Sequence, residues 1–162
     1  MRSVIKDRRI VEDRWRHVAD AAELPDGPAI VSLARWTRER ALLLERGEPI
    51  GVRLPNTASV AELAGDLPRL EVVALEFPKF ADGRAYSQAR LLRERYGYRG
   101  EIRAVGDVLR DQLLFMARSG FDAFELRADR DLDDALEAFG EFSENYQPAA
   151  DQPLPLFRRR TR

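Results

Sequence analysis

The sequence predicts an α/β fold in which repeated strand–helix units form a mostly parallel sheet of about five strands. Short apolar runs alternate with longer amphipathic stretches between residues 29 and 143, and glycine or proline ends most of them. Units of about 20 to 30 residues are typical of parallel sheets with right-handed crossovers. A complete barrel needs about 250 residues. The chain has 162, so we expect an open sheet or a partial barrel.

The first predicted element is a short N-terminal hairpin over residues 3–12, where two apolar pairs flank a polar turn. Residues 13–28 are polar and contain a Pro-Asp-Gly-Pro turn sequence, so we expect a connecting segment there. Together with the strand–helix units, these residues form a single predicted domain over 1–146.

Five apolar runs are predicted to be strands because each is short and bounded by turn residues. They lie at 29–33, 49–54, 71–77, 101–105 and 121–126. Helices follow them, because apolar residues recur every three or four positions and Gly47, Gly97 or Gly120 ends the pattern. The first helix is predicted to end at residue 46, and the others to span 57–67, 83–96, 108–119 and 131–143.

A partial barrel would leave an apolar concave face without a cover. Either the N-terminal segment or a second subunit would have to shield that face from water. A homodimer is therefore one expectation from the fold class.

Composition excludes several classes of function. The chain has no cysteine, which rules out disulfides, thiolate metal sites and iron–sulfur clusters, and we expect no bound metal. Its net charge of −1 provides no general attraction for nucleic acid. No long apolar run and no secretory signal occur, so we expect a cytoplasmic protein away from membranes. Lys6 and Lys79 are the only lysines among 27 basic residues, and arginine is the better bidentate ligand for anions.

The segment FADGRAYSQAR follows a predicted buried strand and opens a helix. Asp82 is a candidate cap, Gly83 permits a tight turn, and Arg84 and Ser87 would lie beside the first-turn amides. Because helix N-termini bind phosphate, sulfate or carboxylate, these four residues form a predicted anion- or cofactor-binding site. The alternative is that Asp82 and Ser87 only cap the helix and Arg84 is solvated.

A second set of polar residues follows the next strands. Arg103 lies inside a strand, where a charge requires a partner. It either pairs with Glu125 or Glu76 on a neighbouring strand, or it binds the same ligand as Arg84. Asp107 is a predicted helix cap that belongs to the same anion- or cofactor-binding site as Arg84 and Arg103, and it would orient the arginines together with Glu125. Asp107 and Glu125 are the candidate catalytic residues, and a Glu76–Glu125 carboxylate pair is a further alternative.

Two other features carry less chemical information. The single histidine, His17, has no second histidine and no cysteine to work with, so it is a poor candidate for catalysis or metal binding. The tail over 147–162 combines three prolines with an Arg-Arg-Arg run and is predicted to be flexible. Its alternative role is a docking peptide for an acidic partner, with Leu154, Leu156 and Phe157 as apolar anchors.

Several long strings in the chain resemble a bacterial family of unknown function, domain-of-unknown-function family 934. They include EDRW at 12–15, GVRL at 51–54, the run LEFPKFADGRAYSQARLLRERYGYRGEIRAVGDVLRDQL at 75–113, and RSGFDAFELR at 118–127. The family is described as an oxidoreductase associated with sulfite reduction. The resemblance covers nearly the whole chain except the tail.

The resemblance implies an accessory protein of assimilatory sulfite reduction, whose partner is the sulfite (or nitrite) reductase haemoprotein. In that interpretation the predicted loops bind an oxyanion or a phosphate group at the carboxyl ends of the strands. An alternative is an oxidoreductase that uses the same loops for a flavin or a nicotinamide. The sequence has no glycine-rich dinucleotide motif, so such a cofactor would be held at a site that no motif marks. A third is a purely structural interaction module. The sequence leaves open whether the protein is an enzyme.

Overall fold

The computed structural model describes residues 2–79, 83–127 and 130–141. These residues form an α/β fold with eight strands and four α-helices. The strands are β1 (Ser3–Lys6), β2 (Arg9–Glu12), β3 (Arg16–His17), β4 (Ala29–Ser32), β5 (Ile50–Leu54), β6 (Val72–Phe77), β7 (Glu101–Gly106) and β8 (Ala123–Phe124). The helices are α1 (Leu33–Glu45), α2 (Arg84–Arg90), α3 (Leu113–Ser119) and α4 (Leu132–Glu141).

The α/β class is confirmed, but the prediction of about five mostly parallel strands is wrong. The strands form one mixed sheet in the order β2-β1-β8-β7-β6-β5-β4-β3. The five predicted strands are β4 to β8, and these are parallel. The N-terminal segment adds the other three, because the hairpin pairs antiparallel with β8 and β3 pairs parallel with β4.

The predicted N-terminal hairpin is confirmed. Its two turn residues, Asp7 and Arg8, have φ values of 52° and 63°. Two-residue turns with positive φ at both positions match the right-handed twist of paired strands. The hairpin therefore reaches the sheet edge in a conformation that continues the sheet beyond β8.

The two faces of the sheet have different neighbours because side chains alternate along each strand. On one face Val52, Val73 and Ile102 belong to the main core, together with apolar residues of all four helices. On the opposite face Ile30, Val72, Ala74 and Val105 form a smaller apolar cluster against Trp15. The parallel strands are therefore buried on both faces, as parallel sheets usually are.

The sheet curls into a half-barrel. The side chain of His17 on β3 lies 2.7 Å from that of Glu125, which directly follows β8. Four strands separate β3 from β8, so a flat sheet would place them roughly 24 Å apart at the usual strand spacing. The contact thus requires strong curvature, with the Trp15 face on the concave side and the helices on the convex side.

Residues 13–17, which we call the strap, cross the concave face from one edge of the sheet to the other. The strap begins after β2, beyond β8, and ends with β3 beside β4. Trp15 packs against the small apolar cluster of the concave face. The N-terminal segment thus covers part of this face, which is one of the two covers that the sequence suggested.

The predicted helices occur in place but are more broken than expected. The predicted helix at 57–67 is two 3-10 turns, Val60–Leu63 and Leu67–Arg69, and α2 continues into a π-type turn at Leu91–Arg95. The helical turns after β7 begin at Arg110, and Leu109 rather than Asp107 is the residue directly before them. Asp82 and the tail at 147–162 lie outside the described residues. No helix in the described part of the chain is long and apolar enough to cross a membrane.

Candidate functional site

Charged and polar side chains form two connected groups on the concave face. The first, which we call the inner cluster, consists of Asp13, Glu101 and Arg103. The second lies at the carboxyl ends of the strands, and we call it the mouth quartet. Its members are His17 at the end of β3, Arg53 near the end of β5, Glu76 near the end of β6, and Glu125 directly after β8.

The mouth quartet is a continuous chain of hydrogen bonds. Arg53 donates from Nε to Oε2 of Glu76 at 3.0 Å and from Nη1 to Nδ1 of His17 at 3.2 Å. His17 in turn lies with Nε2 2.7 Å from Oε2 of Glu125. Because a guanidinium only donates, Nδ1 of His17 must accept, and its proton sits on Nε2 and points to Glu125. This is the neutral tautomer of the imidazole, held from both sides.

The inner cluster places one arginine among three carboxylates. Arg103 donates from Nε to Glu101 at 2.7 Å, and from Nη1 to Oδ2 of Asp13 at 3.0 Å and to Glu125 at 2.9 Å. The side chains of Arg103 and Asp13 are 1% and 0% exposed. Although burial opposes its charge, the carboxylates of Glu101, Glu125 and Asp13 raise the pKa of Arg103 above its ordinary value. Arg103 therefore stays charged.

Glu125 joins the two groups, because its Oε2 accepts from both His17 and Arg103. Burial alone would raise the pKa of this carboxyl. The hydrogen bonds from His17 and Arg103, together with the charge of Arg103, outweigh that effect and lower the pKa to about 2. Glu125 is therefore an ionised hydrogen-bond acceptor at neutral pH, which keeps His17 in one orientation.

The two groups differ in their access to solvent. The side chains of the quartet are between 18% and 35% exposed, whereas those of the inner cluster are 4% exposed or less. A small solute can therefore reach Arg53 and His17 but not Arg103. An accessible guanidinium beside an imidazole can hold an anion, and an imidazole backed by a carboxylate can also carry a proton.

The structure brings some of the predicted site residues together and separates others. Arg103 and Glu125 form the ion pair that the sequence offered as one alternative. Arg84 is exposed at the start of α2, along with Gly83 and Ser87, and so lies in a different environment from the buried Arg103. Asp107 is half-buried, with Oδ1 3.7 Å from Nη1 of Arg127.

Glu76 and Glu125 do not form a direct carboxylate pair, because Arg53 and His17 lie between them. Both residues lie on the mouth of the concave face, where Arg53 and His17 connect them. Glu76 therefore accepts from Arg53, and Glu125 accepts from His17. Each carboxylate is better suited to hold its partner in place than to share a proton with the other carboxylate.

Four residues that complete the two groups were not predicted as site residues from the sequence: Arg53, Glu101, His17 and Asp13. Arg53 had a usable signal, because it is a cation inside a buried strand, as Arg103 is. Glu101 also had one, since residues two apart on a strand share a face with each other. No sequence pattern indicated the pairing of His17 or Asp13, because their partners Glu125 and Arg103 lie 108 and 90 positions away.

Metal binding finds no support in the described ranges. There, no group of three or more histidine, aspartate or glutamate side chains is arranged to hold a metal ion.

A family model described as a bacterial protein of unknown function (DUF934) matches residues 51–157, about two-thirds of the chain. The matched span includes every quartet and cluster residue from β5 onward, whereas the strap precedes it. No curated protein matches the chain.

Proposed function

The chain belongs to the bacterial family DUF934, and from this membership and the mouth quartet we propose an accessory protein of assimilatory sulfite reduction that binds an oxyanion or a phosphate group. The observation that carries the proposal is the accessible pair of Arg53 and His17 at the carboxyl ends of the strands. Parallel α/β proteins bind ligands at that edge of the sheet.

The chemistry of the quartet fits a small anion. Arg53 presents a planar donor group that matches the oxygens of sulfite or phosphate. Its bond to Nδ1 of His17 is the longest in the quartet, at 3.2 Å, and is the one that an arriving anion would replace. Nδ1 would then take a proton, from solvent or from the protonated form of the anion, so that the imidazole also donates to the anion. Glu76 and Glu125 would keep the guanidinium and the imidazole in position while the anion binds.

This proposal moves the anion from the predicted pair of Arg84 and Arg103 to Arg53 and His17. Arg103 is buried and already donates to three carboxylates, so its charge is neutralised by ion pairs within the protein. Arg84 opens a helix of only seven residues, which provides a weak dipole. Glu125 keeps the orienting role that the sequence suggested for it.

The partner in this proposal is the sulfite (or nitrite) reductase haemoprotein. The support is the resemblance of the central strings to a family associated with sulfite reduction. The mouth quartet would then hold sulfite, or an anionic group of a cofactor, close to the partner.

Co-purification tests the accessory role. The tagged protein would be isolated from its native host grown on sulfate, and the visible spectrum of the eluate recorded. We expect the haem spectrum of the reductase in the eluate and no colour in the protein alone. A protein that elutes alone with a flavin spectrum would instead support a cofactor-dependent oxidoreductase.

A growth experiment tests the quartet within that role. A host that carries Arg53→Gln should grow more slowly on sulfate as sole sulfur source, because the guanidinium is lost while the side-chain length is nearly kept. Arg38→Gln is the matched control, since Arg38 is exposed on α1. Equal growth of the Arg53 variant, with the protein present and folded, would count against the proposal.

A further inference from the structure

Positive charge is concentrated in the N-terminal part of the chain. Residues 1–17 contain six lysines or arginines and three aspartates or glutamates, a net charge of +3. Since the whole chain carries −1, the remaining residues carry −4. The hairpin and the strap thus carry a net positive charge on an otherwise acidic protein.

Strand β2 ends the sheet on this side, and its outer edge is accessible. All four of its residues are exposed, including Ile10 and Val11 at 36% each. The amide of Asp13 donates to the carbonyl of Arg2, so in the alternating antiparallel pattern Val11 and Arg9 bond toward β1. The backbone groups of Ile10 and Glu12 therefore point away from the sheet, and no other strand of the described residues lies beyond them.

A groove of about 560 Å³ continues from the end of β2 along the strap. It is lined by Arg2, Arg14 and Arg16, together with Trp15, His17 and the acidic residues Glu12 and Asp13. Asp13 does not offset the arginines at the surface, because its carboxylate is buried against Arg2 and Arg103. Arg14 and Arg16 are both exposed, so the groove presents mainly positive charge to solvent.

We propose that an acidic, extended segment of a partner protein docks on this edge. Its backbone pairs with the outward N–H and C=O groups of Ile10 and Glu12, and adds a ninth strand next to β2. Its carboxylates lie in the groove against Arg14 and Arg16. Strand addition of this kind takes affinity from main-chain hydrogen bonds and specificity from side chains.

The occupant is acidic because of the charge of the surface that it meets. Open edge strands are commonly protected by charged side chains that discourage indiscriminate pairing. Here the charges are mostly positive, so they repel basic segments and a second basic edge of the same chain, and they attract carboxylates. The groove shares His17 with the mouth quartet, whereas β2, Arg14 and Arg16 belong to the docking site alone. The proposed docking rests on these three and does not depend on the proposed anion binding.

Peptide binding tests the proposal directly. The probes are two labelled octapeptides, (Glu-Val)4 and (Lys-Val)4, which share length and strand propensity and differ in charge. Fluorescence anisotropy at low salt should detect binding of the acidic peptide alone, and binding should weaken as salt is added. Equal binding of both peptides, or of neither, would overturn the proposal.

Two variants identify the surface. Ile10→Pro removes an outward N–H, which edge strands tolerate, and should abolish strand addition. Arg14→Glu/Arg16→Glu should lower the affinity for the acidic peptide at least tenfold. Arg38→Glu/Arg69→Glu makes the same charge change at exposed positions elsewhere and should leave that affinity unchanged. If Ile10→Pro fails to fold, the paired arginine variants decide alone. A β2-mediated dimer seen by sedimentation, lost in Ile10→Pro, would also overturn the proposal, because a second copy would then occupy the edge.

Discussion

Arg103 is the residue on which the buried charge of the concave face depends. Three carboxylates surround it, and two of them, those of Asp13 and Glu101, are almost fully buried. Buried ions require compensation, and the loss of one partner leaves the others unpaired in a region of low dielectric constant. Arg103 therefore has a structural role at the base of the site, whereas Arg53 and His17 face the solvent.

Replacement of Arg103 with leucine should lower the free energy of unfolding by about 3–5 kcal/mol, because buried carboxylates would lose their cation. Urea denaturation at neutral pH measures this change. Arg38→Ala on the exposed surface of α1 is the control and should change stability by less than about 0.5 kcal/mol. A loss of under about 1 kcal/mol in the Arg103 variant would show that the cluster is not a linked unit.

Glu125 predicts a specific pH dependence of stability. Its pKa falls from 4.5 to about 2 on folding, so its ionised form favours the native state. That contribution is fully present above pH 4.5 and is lost as the pH falls toward about 2. The stability difference between the parent and Glu125→Gln should therefore shrink across this range. A difference that stays constant between pH 6 and pH 3, measured by urea denaturation, would contradict the assignment.

The strap is the element that turns a curled sheet into a site. Its central residue, Trp15, covers the small apolar cluster, and its flanking residues Asp13 and His17 connect to Arg103 and Glu125. A segment of five residues thereby joins both edges of the half-barrel. Its strand β3 has only two residues, too few for any periodicity to be recognised from sequence.

Removal of the Trp15 side chain should destabilise the half-barrel, because Ile30, Val72 and Val105 would lose their cover. We expect Trp15→Ala to lower the free energy of unfolding by about 2–4 kcal/mol, somewhat less than for a fully buried tryptophan. Amide hydrogen exchange in β4 and β6 should also become faster. The control is Leu42→Ala, at a side chain of α1 that is 56% exposed. A similarly small change in the free energy of unfolding in both variants would contradict the role of the strap.

At the scale of the whole molecule, local patterns predicted the strands and helices but not their closure. The apolar runs at 29–33 and 71–77 identified β4 and β6, because buried parallel strands are continuously apolar. A cation inside a strand likewise indicated that Arg103 has a carboxylate partner, and Glu125 is one. The sequence left an open sheet and a partial barrel as alternatives, because the curvature depends on how far the strands twist and on contacts such as His17–Glu125 across 108 positions.

The half-barrel geometry also explains why Arg84 and Arg103 lie in different environments. In a flat sheet, Arg84 at the start of a helix and Arg103 in a strand would have been reasonable neighbours of one ligand. In the curled sheet the concave face collects side chains from β3, β5, β6 and β8, while α2 packs on the convex side. The accessible nitrogen groups at the mouth are therefore the guanidinium of Arg53 and the imidazole of His17.

The most direct test is an isothermal titration of sulfite, and separately of phosphate, into the parent protein, Arg53→Gln and Arg84→Gln. We expect binding to the parent at one site, loss of at least tenfold in affinity in Arg53→Gln, and little change in Arg84→Gln. Unchanged affinity in a folded Arg53→Gln variant would contradict anion binding at the mouth quartet. Loss in Arg84→Gln alone would place the anion at the start of α2 instead of at the mouth of the half-barrel.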